Sequence, residues 1–141
     1  MKRWLLKTEP TAYSFAQLQK ERRAVWDGVK NPQALKNLSQ VQKGDQIFVY
    51  HTGDEKAVIG IATALSAAYP DPKHKDPKLL VIDIAPIAPL PRPVTLAEVK
   101  ASPKFAGWEL VRLPRLSVMP VSAEHWAEIE RMATKSKEAT H

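Results

Sequence analysis

The sequence Trp-Asp-Gly-Val-Lys-Asn-Pro at residues 26–32 concentrates an unusual amount of recognition chemistry in a short stretch. An indole offers a flat face for stacking, a carboxylate accepts hydrogen bonds, and a carboxamide both donates and accepts them. Trp26, Asp27 and Asn31 therefore suit the binding of a planar heterocycle. The same residues also have an ordinary interpretation, in which Trp26 belongs to the core and Asn31 caps a helix that begins at Pro32. The stretch alone leaves both interpretations open.

The chain around this stretch has 141 residues, the size of a single domain with its own hydrophobic core. It contains no cysteine, which excludes disulfides and thiolate metal sites and fits a reducing compartment. Lys7 and Glu9 interrupt the apolar run that begins at Trp4 too early for a secretory signal or a membrane span. We expect a cytoplasmic monomer without a membrane segment, a metal ion or a cofactor.

The net charge of +6 is concentrated in residues 1–43, where nine lysines and arginines face three acidic residues. A second basic segment, residues 71–78, holds the sequence Asp-Pro-Lys twice, with His74 and Lys75 between the copies. A one-sided basic field favours a polyanionic partner such as nucleic acid, although a moderately basic surface also simply keeps a protein soluble.

The hydrophobic pattern predicts short strands and helices that follow no regular alternation. Strands are predicted at residues 3–8, 46–51, 57–63, 79–84 and 115–118. Helices are predicted at 14–19, from Pro32 to before Val41, at 96–101 and after Ser122, each with a capping residue at its start. Gly60 indicates a bulge or a close approach of backbone, and four prolines at 86–93 predict an extended connector. We therefore expect an α+β domain on a curved, mostly antiparallel sheet.

Catalytic and metal-binding signatures are missing from the sequence. It has no Gly-rich phosphate loop, no His-Glu-x-x-His motif and no nucleophile elbow. Asp27, His51 and Ser117 are the residue types of a catalytic triad, but such sets occur by chance in most chains. The four histidines show no ligand spacing. We expect neither catalytic residues nor a metal site.

Five motifs follow one another in an order that resembles the EVE domain. They are residues 4–10, 26–31, 44–51, the Asp-Pro-Lys segment, and 116–121 with Trp126. The similarity covers residues 2–132, which sets an EVE domain at 1–133 and a polar tail at 134–141. The resemblance implies a PUA-like pseudo-barrel, related to YTH domains, that takes a modified base into a pocket. This chain has Lys30 at a position where arginine is more common in the family. A lysine cannot contact a phosphate in a bidentate way.

A flipped base must be stacked, hydrogen-bonded at its pairing edge and contacted at its modified atom. With the resemblance as a guide, we expect Trp26 to stack on the base and Asn31 to bond its pairing edge. The other predicted pocket residues are Thr8, Glu9, Asp27, Tyr50, His51 and Ser117, with the core as an equal alternative for Tyr50. The predicted phosphate contacts are Lys30, Lys73, Lys75 and Arg115.

Three kinds of function remain open from the sequence. The first is the non-catalytic binding of a modified base in DNA or RNA, which we favour. The second is an enzyme acting on such a base, with Asp27 or Glu9 as general acid or base, but we find no convincing pair of groups for that chemistry. The third is a sequence-independent nucleic-acid adaptor, which needs the charge and not the pocket.

Overall fold

The computed structural model describes residues 1–135, which form a curled seven-stranded sheet flanked by short helices. The strands are β1 (Arg3–Thr8), β2 (Ala24–Trp26), β3 (Gln46–His51), β4 (Ala57–Ala64), β5 (Tyr69–Pro70), β6 (Leu80–Thr95) and β7 (Val118–Pro120). The helices are α1 (Phe15–Glu21), α2 (Pro32–Leu38), α3 (Leu96–Ala101), α4 (Glu109–Arg112) and α5 (Ala123–Thr134), with a 3-10 turn at Pro103–Phe105. This architecture confirms the predicted α+β class. Within residues 1–135, no helix has the length and apolar character needed to span a membrane.

The strands are arranged in the order β2-β6-β4-β3-β1-β7, and β5 pairs separately with β6. β1 and β3 run parallel, whereas all other strand pairs of the described chain are antiparallel. The parallel register sets Lys7 opposite Tyr50 and Thr8 opposite His51. The end of β1 is thereby fixed against the end of β3.

The four helices that the sequence predicts begin where local capping places them. Asn31 Oδ1 accepts a hydrogen bond from the backbone N–H of Ala34 at 3.0 Å, which confirms the predicted cap. The other predicted caps that accept such bonds are Ser14, Thr95 and Ser122. α1 extends to Glu21, beyond the predicted end at residue 19, and closes at Arg22 in the left-handed conformation with φ 67°. The predicted polar tail lies outside the described residues from 136 onward.

The long strand β6 replaces the predicted connector after residue 84. Residues 82–84 pair with β2, whereas β4 pairs with Ile84 and the residues after it, through two register shifts. Beyond Ile84 the strand therefore has a partner on one side only. A proline lacks the N–H that a ladder needs, so it is tolerated where one side of a strand is unpaired. The local sequence shows the prolines, but it does not show that β6 loses its pairing with β2 after Ile84.

The region before α5 also differs from the prediction. The sequence predicts a last strand at residues 115–118, but β7 pairs as Val118–Pro120 with residues 4–6 of β1. Before β7, the Ser117 carbonyl accepts a hydrogen bond from the Lys7 N–H at 2.9 Å, so contact with β1 begins one residue earlier than the strand. The stretch around Gly107, for which the sequence makes no prediction, contains the start of α4.

A buried carboxylate, that of Asp45, joins the starts of β1 and β3. Asp45 is 4% exposed and accepts hydrogen bonds from Trp4 Nε1 at 2.9 Å, the Lys2 N–H at 3.1 Å and the Gln42 N–H at 2.9 Å. Three donors from two chain segments thus meet on one side chain, which fixes the parallel register of β1 and β3 at its start.

Gly60 lies where the Phe15 ring of α1 packs onto β4. A β-carbon at position 60 would lie 2.4 Å from the ring, well inside van der Waals contact. The ladder between β4 and β6 also shifts register between Val58 and Gly60. Both observations confirm the prediction of a bulge or a close approach at this glycine.

We expect Gly60→Ala to lower the free energy of unfolding by about 1–3 kcal/mol, because the new methyl group forces the Phe15 ring out of its packed position. Chemical denaturation of the variant measures the change. Adding Phe15→Leu should recover part of that loss, since the smaller side chain makes room for the methyl group. Strictly additive losses in the double variant would contradict a clash between the two residues.

Candidate functional site

An open pocket of about 320 Å³ lies between the end of β1 and the end of β2. Its lining residues are Lys7, Thr8, Ala12, Tyr13, Val25, Trp26 and Asp27. They bring an indole and a phenol together with an amine, a hydroxyl and a carboxylate. A pocket of this size with a few polar groups on a partly apolar wall suits a small planar ligand.

Trp26 is both a wall of this pocket and a member of the core, since it lines the pocket and is only 8% exposed. The Tyr13 ring meets the indole edge-on, with ring centroids 6.2 Å apart at 88°. Tyr13 is fixed in turn, because its hydroxyl donates to Glu21 Oε1 at 2.6 Å and its carbonyl accepts from Thr8 Oγ1 at 2.7 Å. Burial and then the bond to Glu21 raise the pKa of Tyr13. The indole is therefore held in a set orientation before any ligand arrives.

Lys7 is a lining residue that the sequence analysis missed. Its Nζ donates to the Pro114 carbonyl at 3.0 Å and lies 5.5 Å from the centroid of the Tyr50 ring. Burial lowers the pKa of Lys7, and none of the ion pairs found among residues 1–135 involves it. An ammonium group carries three N–H donors, so two remain for a ligand. The signal in the sequence is a cation at the end of a buried strand.

Asn31 and Arg115 lie in a second cleft, of about 350 Å³, apart from Trp26. We call it the Leu113 cleft, and it is lined by Asn31, Gln33, Leu113, Pro114, Arg115 and Leu116. The pocket at Trp26 and the Leu113 cleft adjoin at Lys7, which lines the first and donates a hydrogen bond to the Pro114 carbonyl of the second. The structure thus brings Thr8, Trp26 and Asp27 together and separates Asn31 from them.

His51, predicted for the pocket wall, is buried and uses both ring nitrogens within the protein. The Phe15 N–H donates to Nε2 at 3.0 Å, and Nδ1 lies 3.0 Å from Glu55 Oε1. Nε2 must therefore be an acceptor, which places a proton on Nδ1 facing the carboxylate. No ring nitrogen remains for a ligand, so His51 ties the start of α1 to β3.

Three other predicted pocket residues stand outside the pocket lining. Tyr50 is 3% exposed in the core, where burial raises the pKa of its hydroxyl. The Glu9 carboxylate accepts hydrogen bonds from the hydroxyls of Thr11 and Thr52 at 3.2 and 3.1 Å. Ser117 contributes the carbonyl that accepts from the backbone of Lys7.

The predicted phosphate contacts Lys30, Lys73, Lys75 and Arg115 are all exposed. The Asp-Pro-Lys segment forms two turns, since Asp71 and Asp76 each accept a hydrogen bond from the backbone N–H two residues later, at 2.9 Å. Of these four residues, only Arg115 lines either of the two pockets. Residues 1–135 contain no cluster of three or more histidine and acidic side chains suited to a metal ion.

Comparison with known proteins identifies the family. The model of the EVE domain matches residues 2–132. Human thymocyte nuclear protein 1 is 27% identical over 87% of this chain and 70% of its own length. The NMR structure of Rpa0253 from Rhodopseudomonas palustris is 36% identical, covers 100% of both chains and has a TM-score of 0.89.

A further similar structure contains a ligand. The crystal structure of human THYN1 protein in complex with 5-methylcytosine-containing DNA is 25% identical, covers 96% of this chain and 99% of its own, and has a TM-score of 0.88. The expected PUA-like fold is thereby confirmed. Since the family model spans almost all of the described residues, this chain belongs to the EVE domain family.

Proposed function

We propose that this protein binds a modified nucleobase in DNA or RNA and releases it chemically unchanged. The observation that carries the proposal is the pocket of about 320 Å³, where the Trp26 indole forms a wall beside the amine of Lys7, the hydroxyl of Thr8 and the carboxylate of Asp27. The complex of the THYN1 protein with 5-methylcytosine-containing DNA supports this choice of ligand.

Each group of the pocket has a chemical task in the proposal. Trp26 stacks on the flipped base, because every base has a π-face that an indole can cover. Lys7 donates to a ring nitrogen or a carbonyl oxygen of the base, and Asp27 accepts from an exocyclic amine. Thr8 and the aliphatic surface of Val25 bound the space that a methyl group or another small modification would occupy.

The pocket is tested by binding measurements against short oligonucleotides that differ in one base. The set contains cytosine, 5-methylcytosine, 5-hydroxymethylcytosine, adenine and N6-methyladenine, each in DNA and in RNA. We expect at least one modified base to bind more tightly than its unmodified parent. Equal affinity across the set would leave only a sequence-independent adaptor. Mass spectrometry that found base loss, deamination or strand cleavage after incubation would instead indicate an enzyme.

The proposed phosphate contacts predict a strong dependence of affinity on salt. Each lysine or arginine that neutralises a phosphate adds about 0.7–0.9 to the slope of log affinity against log salt concentration. Lys30→Ala and Arg115→Ala should each reduce the slope by about 1 and weaken modified and unmodified ligands alike. Titrations at several salt concentrations measure the slope. A slope near zero in the parent protein would contradict the phosphate contacts.

We also propose that the protein is a cytoplasmic monomer, which its cysteine-free sequence and small size support. Fluorescence microscopy of the tagged chain and light scattering of the purified protein test the two statements. Nuclear accumulation or a mass twice that of the 15.8 kDa chain would contradict them.

A further inference from the structure

We propose that the Leu113 cleft is a second subsite, which takes the base adjacent to the modified one in the same strand. This inference rests on the proposed function, since it names the context in which the pocket at Trp26 reads its base. It implies that the recognised unit is a dinucleotide step and not an isolated nucleoside.

The first reason is that the two pockets are neighbours with a shared boundary. Lys7 lines the pocket at Trp26, and its Nζ holds the carbonyl of Pro114, which lines the Leu113 cleft. The backbone makes a second connection, because Asp27 lines one pocket and Asn31 the other. Four residues span at most about 14 Å even when fully extended. A strand that places one base at Trp26 therefore passes close to the cleft.

The second reason is the exposure of apolar side chains. Within residues 1–135, the large apolar side chains that are clearly exposed are Met1, Val25, Ile87 and Leu113. Val25 lines the pocket at Trp26, and Leu113, 38% exposed, lines the cleft. Exposed apolar surface beside polar groups is typical of a binding site. Each of the two adjoining pockets thus has one such side chain.

The third reason is that the polar groups of the cleft match a nucleotide. Asn31 Oδ1 is engaged by the Ala34 N–H, which leaves its amide NH2 as a donor. Gln33 donates through its own NH2 to Asn37 Oδ1 at 3.2 Å, which leaves its carbonyl oxygen as an acceptor. Both residues line the cleft, and a donor together with an acceptor in one lining suits the edge of a base.

The positive charge of the cleft also supports the binding of a nucleotide. Its charged lining residue is Arg115, and no acidic residue accompanies it in the lining. A guanidinium group stacks on bases and pairs with phosphates. An anionic strand with planar, partly apolar bases is therefore complementary to this surface.

The test uses oligonucleotides that carry the preferred modified base and one abasic site. The abasic site replaces the 5′ neighbour, the 3′ neighbour or, as a control, a position two nucleotides away. We expect loss of one of the two neighbouring bases to weaken binding by about 5- to 10-fold. This is the lower end of the range for a base stacked on an aromatic side chain, because the lining of the cleft contains no aromatic residue. The control abasic site should have no effect.

Two variants connect the effect to the cleft. Leu113→Ser should weaken the intact oligonucleotide and remove the difference between intact and abasic ligands. Ile87→Ser is the matched control, because Ile87 is an equally apolar side chain, 55% exposed on β6, and lines neither pocket. Thermal melting should show the same stability for both variants, so that a binding change reports on the surface alone.

The outcomes separate this inference from the proposed function. If a modified base is preferred but neither neighbouring abasic site weakens binding, the subsite is wrong and the proposed function stands. The subsite is equally wrong if Leu113→Ser and Ile87→Ser bind alike. If no modified base is preferred in any oligonucleotide, the proposed function fails first, and the subsite fails with it.

Discussion

Trp26→Ala is expected to remove the preference for a modified over an unmodified oligonucleotide and to lower the free energy of unfolding by about 3 kcal/mol. The first effect follows because base–aromatic stacking contributes about 1–3 kcal/mol to binding. The second follows because the indole is 8% exposed and packs against Tyr13, and truncation of a buried tryptophan costs about 3–5 kcal/mol. We expect the lower end of this range for Trp26, because the space vacated by the indole opens into the pocket and fills with water. Thermal melting and paired binding titrations measure the two effects.

Trp108→Ala is the matched control for this prediction. Trp108 is 3% exposed, donates through Nε1 to the Pro120 carbonyl at 3.1 Å, and lies outside the pocket at Trp26. Its truncation should destabilise the fold at least as much, yet leave the ratio of affinities for modified and unmodified ligands unchanged below the melting temperature. If Trp26→Ala kept that ratio while still folded, stacking by Trp26 would be excluded.

The elements that the sequence predicts well are those fixed by neighbouring residues. Asn31 caps α2 because its side chain reaches an N–H only three residues ahead, so the signal is local. The path of β6 is not local. Four prolines between residues 86 and 93 resemble a connector until the strand is known to leave β2 at Ile84. A single sequence shows the prolines, but it does not show that β6 has a neighbouring strand on only one side beyond Ile84, where prolines are tolerated.

The site shows the same division between local and long-range information. Trp26 and Asp27, which both line the pocket, stand out in the sequence because an indole and a carboxylate beside a glycine form an unusual combination within a few residues. Lys7 and Tyr13 were not predicted, because neither is near Trp26 in sequence; only the folded chain brings the end of β1 and the residue before the α1 cap into the same pocket lining as Trp26. For His51 the residue type alone suggests a ligand contact, whereas its partner is long-range: the Phe15 N–H, 36 residues away in sequence, donates to Nε2.

Asp45→Ala is expected to lower the free energy of unfolding by about 3–4 kcal/mol, the second large effect. The change leaves Trp4 Nε1 and the N–H groups of Lys2 and Gln42 without their acceptor. Hydrogen bonds to a charged group contribute about 1.5–3 kcal/mol each, and their loss is not additive because water can reach part of the space. Binding should weaken as well, since these bonds fix the β1–β3 register that carries Lys7 and Thr8 to the pocket. Chemical denaturation and oligonucleotide titration measure both.

Asp45→Asn tests the charge of the same side chain through pH. Burial alone would raise the pKa of Asp45, but the hydrogen bonds from Gln42, Trp4 and Lys2 outweigh it and hold the pKa below its ordinary value. A carboxylate with a lowered pKa in the folded state stabilises the fold above its ordinary pKa, and the contribution disappears as the pH falls through the lowered pKa. The stabilities of the parent and of Asp45→Asn should therefore differ at neutral pH and converge on acidification. Other carboxylates titrate in both proteins and cancel in the comparison, so a gap that stayed constant down to acidic pH would show that the charge of Asp45 contributes nothing.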